Sequence, residues 1–400
     1  MSHAPYAPLA GVRKIVALRP NAIGDFMFSL PALHALRDTY PEAHIVLLGK
    51  QWHADFLCGR PSPVDQVIVM PPFPGVGGAP DAPVDPEPGK IFIDQMRAEK
   101  FDLAVQMFGG GRYSNAFISS LGARLTIGAR TPEAAPLDRS IAYGAFANRR
   151  LELLQVAALA GARPTLTSPE IGITANDRQL AAAVVPHQPG QRLVVLHPGA
   201  SDPRRRWPAE RYAAVADALA SAGATIAISA TEAEADLARA VVQHMREPAL
   251  DLSGRLSLPA LCGLIERAEM MLSNDTGPLH LAIALNTPAV GIFWLTNLME
   301  SCPLRQHLLF PALSLRTHCP VCGEENRKRR CAHDVSFVDD VEVDEVAGLA
   351  LGLFSANAPE LHDGLNDGFD EGLGEGLNDG LNARLNKGLN EGLSARLNEG

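Results

Sequence analysis

The sequence predicts an α/β protein made of two doubly wound units, and three observations lead there. Near-continuous Val/Ile/Leu runs alternate with amphipathic stretches, as strands covered on both faces of a parallel sheet require. The pattern starts afresh near residue 180. A length of 400 residues with 46% hydrophobic and 20% charged content is ordinary globular composition, enough for two cores.

In the first half the strands are "KIVALR" 14–19, "HIVLLG" 44–49, "QVIVM" 66–70, "DLAVQM" 102–107 and "RLTIGA" 124–129, spaced by stretches such as "SLPALHALRDTY" 29–40. Residues 71–90 hold seven prolines and four glycines and read as a surface loop. After a helical stretch near 176–185, "RLVVLHPGA" 192–200 opens the second unit. Helix 208–223, strand 224–229, helices 231–246 and 258–269, strand 270–274, a helix from Gly277 and strand 288–294 continue it. From Leu361 the chain becomes ten tetrads of the type "LNDG", whose nine glycines oppose a helix, so a disordered repeat tail is expected.

The formal charge of −10 argues against a nucleic-acid binder, and residues 356–400 supply −6 of it through nine acids and three bases. The amino-terminal stretch has no apolar run able to act as a signal peptide, and no segment approaches about 18 uninterrupted apolar residues. A cytoplasmic protein is expected.

Three stretches carry chemistry. In "VALRPNAIGDF" 16–26 a strand runs into a turn and a helix, an arrangement that can hold phosphate, yet Asp25 at the helix start would repel a diphosphate. "HPGASDPRRRWPAERY" 197–212 places three arginines between a strand end and a helix; they are either a solvated face or a phosphate fork. In "LSNDTGPLHLAIALNTPAVGIF" 272–293, Asn274, Asp275 and Thr276 either cap the helix or, with the amides of Thr276 and Gly277, receive an anion.

Taken together and in order, "RPNAIGDFMFSLPALHALRDTYP", "LHPGASDPRRRWPAERY" and "SNDTGPLHLAIALNTPAVGIF" resemble the signature regions of glycosyltransferase family 9, the bacterial ADP-heptose–lipopolysaccharide heptosyltransferases, over about residues 12–350. The resemblance implies a GT-B fold: an acceptor-binding domain over 1–178, a nucleotide-sugar-binding domain over 179–355, a cleft between them, and a tail over 356–400. It implies inverting transfer from an ADP-sugar to a lipopolysaccharide core or similar glycan, with no cofactor or metal required. Peripheral contact with the inner face of the inner membrane is part of that expectation.

By the same resemblance Asp25 is the general base, and the helix start is expected to keep it ionised. Arg205 takes the place of the family's phosphate-binding lysine. Arginine keeps the charge and changes the geometry, so Arg204 and Arg206 are alternatives for that contact. Asp275, Thr276 and Gly277 form the nucleotide-sugar turn, and His197 and His280 lie beside it, either against the sugar or as satisfied core histidines. A nucleotide-sugar epimerase or hydrolase of the same fold, and a noncatalytic nucleotide-binding protein, are the rival readings.

The segment "HCPVCGEENRKRRCAH" 318–333 is separate. Cys319, Cys322 and Cys331, with His318 and His333 nearby, could form a structural metal clip, remain reduced thiols in a packed loop, or pair as a disulfide. The basic run 327–330 reads as a solvated loop or as a contact for anionic head groups.

Overall fold

The computed structural model describes residues 6–357 apart from 82, 84, 145, 165–166 and 327–329. The first half comprises β1 (Lys14–Leu18), α1 (Ile23–Thr39), β2 (His44–Gly49), α2 (Gln51–Leu57), β3 (Gln66–Val69), a miniature sheet of β4 (Phe73–Pro74) and β5 (Gly77–Gly78), α3 (Pro86–Ala98), β6 (Leu103–Gln106), α4 (Ser114–Ser120), β7 (Leu125–Arg130), β8 (Arg139–Ala142) and α5 (Arg149–Ala158). The second comprises α6 (Ala175–Val184), β9 (Arg192–His197), α7 (Ala209–Ser221), β10 (Ala224–Ile228), α8 (Ala235–His244), β11 (Ala249–Asp251), α9 (Leu258–Glu266), β12 (Met270–Asn274), α10 (Gly277–Ala284), β13 (Ala289–Trp294), α11 (Leu295–Ser301), β14 (Leu309–Ser314) and α12 (Val343–Ala356).

Two six-stranded sheets result, ordered β3-β2-β1-β6-β7-β8 and β11-β10-β9-β12-β13-β14, and every neighbouring pair in both is parallel. Counted within each sheet, both run 3-2-1-4-5-6. That order reverses beside the first strand and opens a crevice at the carboxyl ends of the strands. The uninterrupted apolar strands follow from burial on both faces. Ile15 and Ala17 of β1 enter one core cluster, while Val16 and Leu18 enter another. Leu193 and Val195 of β9 join the same cluster as Ile15, so one apolar layer is shared by the two lobes.

At the heart of that shared layer α1 packs on α10, and the contact is made by glycines. A Cβ placed on Gly24 would meet His280 Cδ2 at 3.3 Å and Gly277 Cα at 3.4 Å, and one placed on Gly277 would meet Ile23 Cβ at 3.3 Å. The amino termini of the two helices therefore abut at backbone distance.

Two differences from the sequence reading have local causes. Within the expected 71–90 loop, β4 and β5 form and α3 begins at Pro86: Asp85 accepts from the amide of Glu87 at 3.0 Å, and proline at the first helical position loses no hydrogen bond. The 231–246 helix divides into a 3₁₀ turn at Glu232–Glu234 and α8. The 178/179 boundary falls inside α6, which packs along α9 while Asp177 near its start is bound by Arg60 at 2.6 Å in a buried ion pair. The expected disorder of the tail lies outside the described residues, as do 327–329 of the basic run.

Gly24→Val should force the two helix starts apart and cost about 1–3 kcal/mol, whereas Gly24→Ala should be milder, its tight contact being offset by better helix propensity. Thermal melts of both variants check this; a valine variant as stable as the parent would mean that the glycine contact does not constrain the lobes.

Candidate active site

Asp25 sits in the first turn of α1, beyond the N-cap residue Ala22, and its side chain makes no capping bond. It is 42% exposed and lines a cavity of about 240 Å³. Arg19, at the end of β1 and buried, holds it: Nε and Nη2 donate to the Asp25 carbonyl at 2.9 and 2.7 Å, and Nη2 reaches carboxylate Oδ1 at 3.3 Å. Nη1 donates to the carbonyl of Met107, which ties the turn after β1 to the turn after β6. Burial lowers the pKa of Arg19, and the Asp25 carboxylate opposes that shift.

The other side of the site is built on Asp275, 4% exposed at the end of β12. Both of its oxygens are occupied. Oδ1 accepts from His280 Nε2 at 2.9 Å and Ser301 Oγ at 3.3 Å; Oδ2 accepts from Asn297 Nδ2 at 2.8 Å and Arg205 Nη1 at 3.2 Å. Burial alone would push this carboxyl up, but the hydrogen bond and charge of His280, with Arg205 and Asn297, hold it well below the usual carboxylate range. Arg205 also donates to the Asp275 carbonyl at 3.0 Å and to Ser201 Oγ at 3.0 Å, so the arginine loop and the β12 turn meet. Asn274 completes the join by donating to the Pro198 carbonyl at 2.7 Å and accepting from the Trp207 amide at 3.1 Å.

The three arginines have separate tasks. Arg204 is buried and closes a fork on Asp202, its Nη2 donating at 2.6 Å, and its Nη1 donates to Asn326 at 3.1 Å. Arg206 donates from Nε to the carbonyl of Ala200 at 2.9 Å. Arg205, half-buried, stays beside the turn. Thr276 precedes α10 without a capping side-chain bond, and Gly277 is the residue approached by Ile23 and Gly24. His280 is buried against Phe28, ring centroids 4.6 Å apart, with Nδ1 lacking a protein partner. Burial lowers its pKa, against the pull of Asp275. His197 is buried beside Ser229 Oγ at 3.2 Å, its pKa likewise lowered by burial.

Sequence reasoning missed several partners. Arg19, Asn297 and Ser301 carry no motif signal. Glu234 closes over Gly199, whose added Cβ would meet its carboxylate at 2.4 Å; an acid beyond the second strand of such a sheet is placed to meet ribose hydroxyls, and this spacing could have marked it. Arg150 is fully buried, and burial brings its pKa down to about 10; its guanidinium lies 4.6 Å from the Phe28 ring centre and donates to the carbonyl of Ser301.

The cysteine segment packs behind the arginine loop. Cys319, Cys322, Cys331 and His333 bring one ligand atom each within 4.8 Å of one another, while His318 instead bonds Thr317. Gly323, at φ 72°, turns the chain back after Cys322. Burial opposes ionisation of the Cys319 thiol, but the amides of Cys322 and Val321 and the neighbouring thiols bring its pKa down to about 6.

Two Rossmann-like lobes of identical strand order, one offering a carboxylate in a cavity and the other an arginine-bearing turn at its crevice, define a GT-B-type glycosyltransferase fold. A profile of glycosyltransferase family 9 (heptosyltransferase) matches residues 91–327, and the chain belongs to that family. It is 32% identical over 111 residues to lipopolysaccharide heptosyltransferase 3 of Escherichia coli, a segment covering 27% of this chain and 33% of that protein. With lipopolysaccharide heptosyltransferase 2 of Salmonella typhimurium it shares 23% identity over 303 residues, 70% of this chain and 82% of that one. The chain thus spans a third of the first relative and four-fifths of the second. Among solved structures, the Escherichia coli ADP-heptose LPS heptosyltransferase II has the same fold, with a TM-score of 0.67 and 19% identity over 86% of this chain and 99% of that one. No helix among the described residues is long and apolar enough to cross a membrane.

His53, His197 and His280 all have lowered pKa values, His53 to about 4, with burial the first cause in each. The unfolded chain protonates histidine near about 6.5 and the folded one only at lower pH, so stability should fall as pH drops below about 6.5, by up to about 1.4 kcal/mol per unit for each histidine. The Asp275 contribution is complete above about 3.9 and is lost only as pH falls through its lower folded value. Urea midpoints at about pH 7.5 and about pH 5 should therefore differ, the acidic one being lower. Equal midpoints would show that these histidines accept protons within the fold.

Proposed function

We propose that the protein is an inverting glycosyltransferase that moves a heptose or related sugar from an ADP-sugar to a lipopolysaccharide core or similar glycan, acting at the inner face of the bacterial inner membrane. The observation that carries this reading is the carboxylate of Asp25, fixed through its own backbone by Arg19 at the edge of a cavity and placed one helix start away from the Asp275 turn. A protein that merely bound a nucleotide would have no use for it.

In this reading the acceptor hydroxyl lies against Asp25, which takes the proton as the bond to the anomeric carbon forms. On the other side negative charge grows on the departing diphosphate. Arg205 and the amides of Thr276 and Gly277 meet that charge in a preorganised setting. Asp275 then acts as the internal anion that aims Arg205, His280 positions Asp275 from behind, and Glu234 receives the ribose. Asp275 and His280 are positioning groups, since both oxygens of the former are occupied within the protein and the latter is 3% exposed.

Asp25→Asn keeps size and charge-free hydrogen bonding, so melting temperature and ADP affinity should persist while turnover falls by about 10²- to 10⁴-fold. Arg205→Ala should do the reverse first, weakening ADP by about tenfold or more and slowing transfer with it. Calorimetry and initial rates on the two variants check the division. Wild-type turnover in the asparagine variant would require another base, and loss of ADP binding by it would exchange the roles of the lobes.

The Cys319–Cys322–Cys331–His333 cluster fits one tetrahedral ion of the zinc or iron type, with three sulfur donors and one nitrogen. Its role is structural: Asn326 in the same segment holds Arg204, and the Phe337 amide donates to the Arg204 carbonyl at 2.7 Å, so the clip braces the loop that carries Arg205. Elemental analysis of protein purified without chelator should find about one ion per chain, lost in Cys322→Ser with a fall in melting temperature. A metal-free parent protein would return the segment to packed thiols.

A further inference from the structure

The cavity beside Asp25 carries information about the acceptor. Its charged lining is two guanidiniums, Arg19 and Arg149, against three carboxylates, Asp25, Glu152 and Glu300, an excess of one negative charge. Both cations are also spent within the protein. Arg19 gives Nε, Nη1 and Nη2 to the carbonyls of Asp25 and Met107. Arg149 gives Nη1 to Glu152 at 2.7 Å and to the Gly144 carbonyl at 3.1 Å, sends Nη2 toward Glu300 at 3.4 Å, and lays its plane 4.6 Å from the Tyr143 ring centre. Arg19 is fully committed, and Arg149 faces two carboxylates that offset its charge toward an incoming carboxylate or phosphate.

The remaining polar lining adds no further cation. The amide nitrogen of Gln106 is consumed by the carbonyls of Phe108 and Gly109, at 2.7 and 3.0 Å, and by Ser114 Oγ at 2.6 Å. Asn21 and Tyr143 complete it with neutral groups that both donate and accept. The wall therefore offers carboxylate acceptors and neutral polar groups, whose complement is a sugar hydroxyl. Sugar hydroxyls supply donors; a carboxylate or phosphate supplies only acceptors.

Building on the transferase reading above, we infer that the reacting unit of the acceptor is a neutral, hydroxyl-rich sugar, and that the cavity discriminates against an acidic sugar or a phosphorylated one at that position. Glu300 supplies the selectivity from the second lobe: it comes from α11, is 39% exposed, and its substitution disturbs no core packing.

The test uses the full chain, ADP-heptose and a panel of synthetic acceptors on one aglycone, ending either in neutral hexoses and heptoses or in carboxylate- and phosphate-bearing sugars. Transfer, read as kcat/KM, should favour the best neutral unit over the best acidic one by about tenfold or more, and Glu300→Gln should narrow that ratio by about threefold or more, most clearly at low ionic strength. Preference for an acidic unit, or a ratio unchanged in Glu300→Gln, overturns the inference and leaves the transferase reading standing. Failure to glycosylate any member of the panel while ADP-heptose still binds overturns the transferase reading, and the inference with it.

Discussion

The site depends on the contact between the first turns of α1 and α10. Gly24 and Gly277 lack the Cβ atoms that would hold the two backbones apart, so two helix amino termini, each carrying partial positive charge, converge on one small volume. Such convergence is unfavourable unless anions stand nearby. Two carboxylates do: Asp25 on α1 and Asp275 immediately before α10. The close approach that joins the lobes and the acidity of the site are thus one requirement.

The two aspartates are alike in position and opposite in environment, and that difference divides their work. Asp275 is buried, and four donors from three separate elements converge on it, which offsets the cost of desolvating a charge and makes it a fixed element of the structure. Asp25 is held mainly through its backbone carbonyl, with one long contact to its carboxylate, so its oxygens keep free lone pairs toward the cavity. The base that the proposal makes of Asp25 must be placed without being used up, and binding the main chain in place of the side chain achieves that. Arg150 and Arg149 extend the logic across the lobes: one donates to the carbonyls of Ser301 and Cys302, the other reaches Glu300. The end of α11 is thereby pinned to α5, with the cavity beside it.

Much of this was legible in the sequence because strands buried on both faces leave continuous apolar runs, and because turns at strand ends need glycine, proline and short polar residues. β2, β12 and the start of α10 lie where those signals put them. The meeting of the arginine loop with the Asp275 turn also followed, since β9 and β12 are neighbours in this strand order. What could not be read is contact made by residues with no pattern of their own. β8 and β11 are short and partly exposed without a continuous apolar run, and the apolar run of β14 is broken by Pro311, which argues against a strand. Arg19 looks like any strand-end cation. Asp275, read as a ligand-facing residue, is internal, because sequence shows that a carboxylate is present and not how many donors surround it. His333 follows Cys331 too closely for ordinary ligand spacing, yet the bend between them brings both to one point.

Identical strand order in the two lobes makes their chemical asymmetry informative. Each sheet has a crevice beside its first strand, and the loop leaving that strand decides what enters it. After β9 the loop is long and carries arginines, one locked on Asp202, one on a backbone carbonyl, and Arg205 beside the turn. After β1 the loop is brief, and its single arginine is turned inward onto carbonyl oxygens. The same cation type therefore serves as a charge facing the crevice in one lobe and as a strut in the other. Where the guanidinium is consumed by the backbone, the carboxylates of the adjoining cavity outnumber its cations. In the proposed reaction a scaffold used twice would thereby meet an anion on one side and a hydroxyl acceptor on the other.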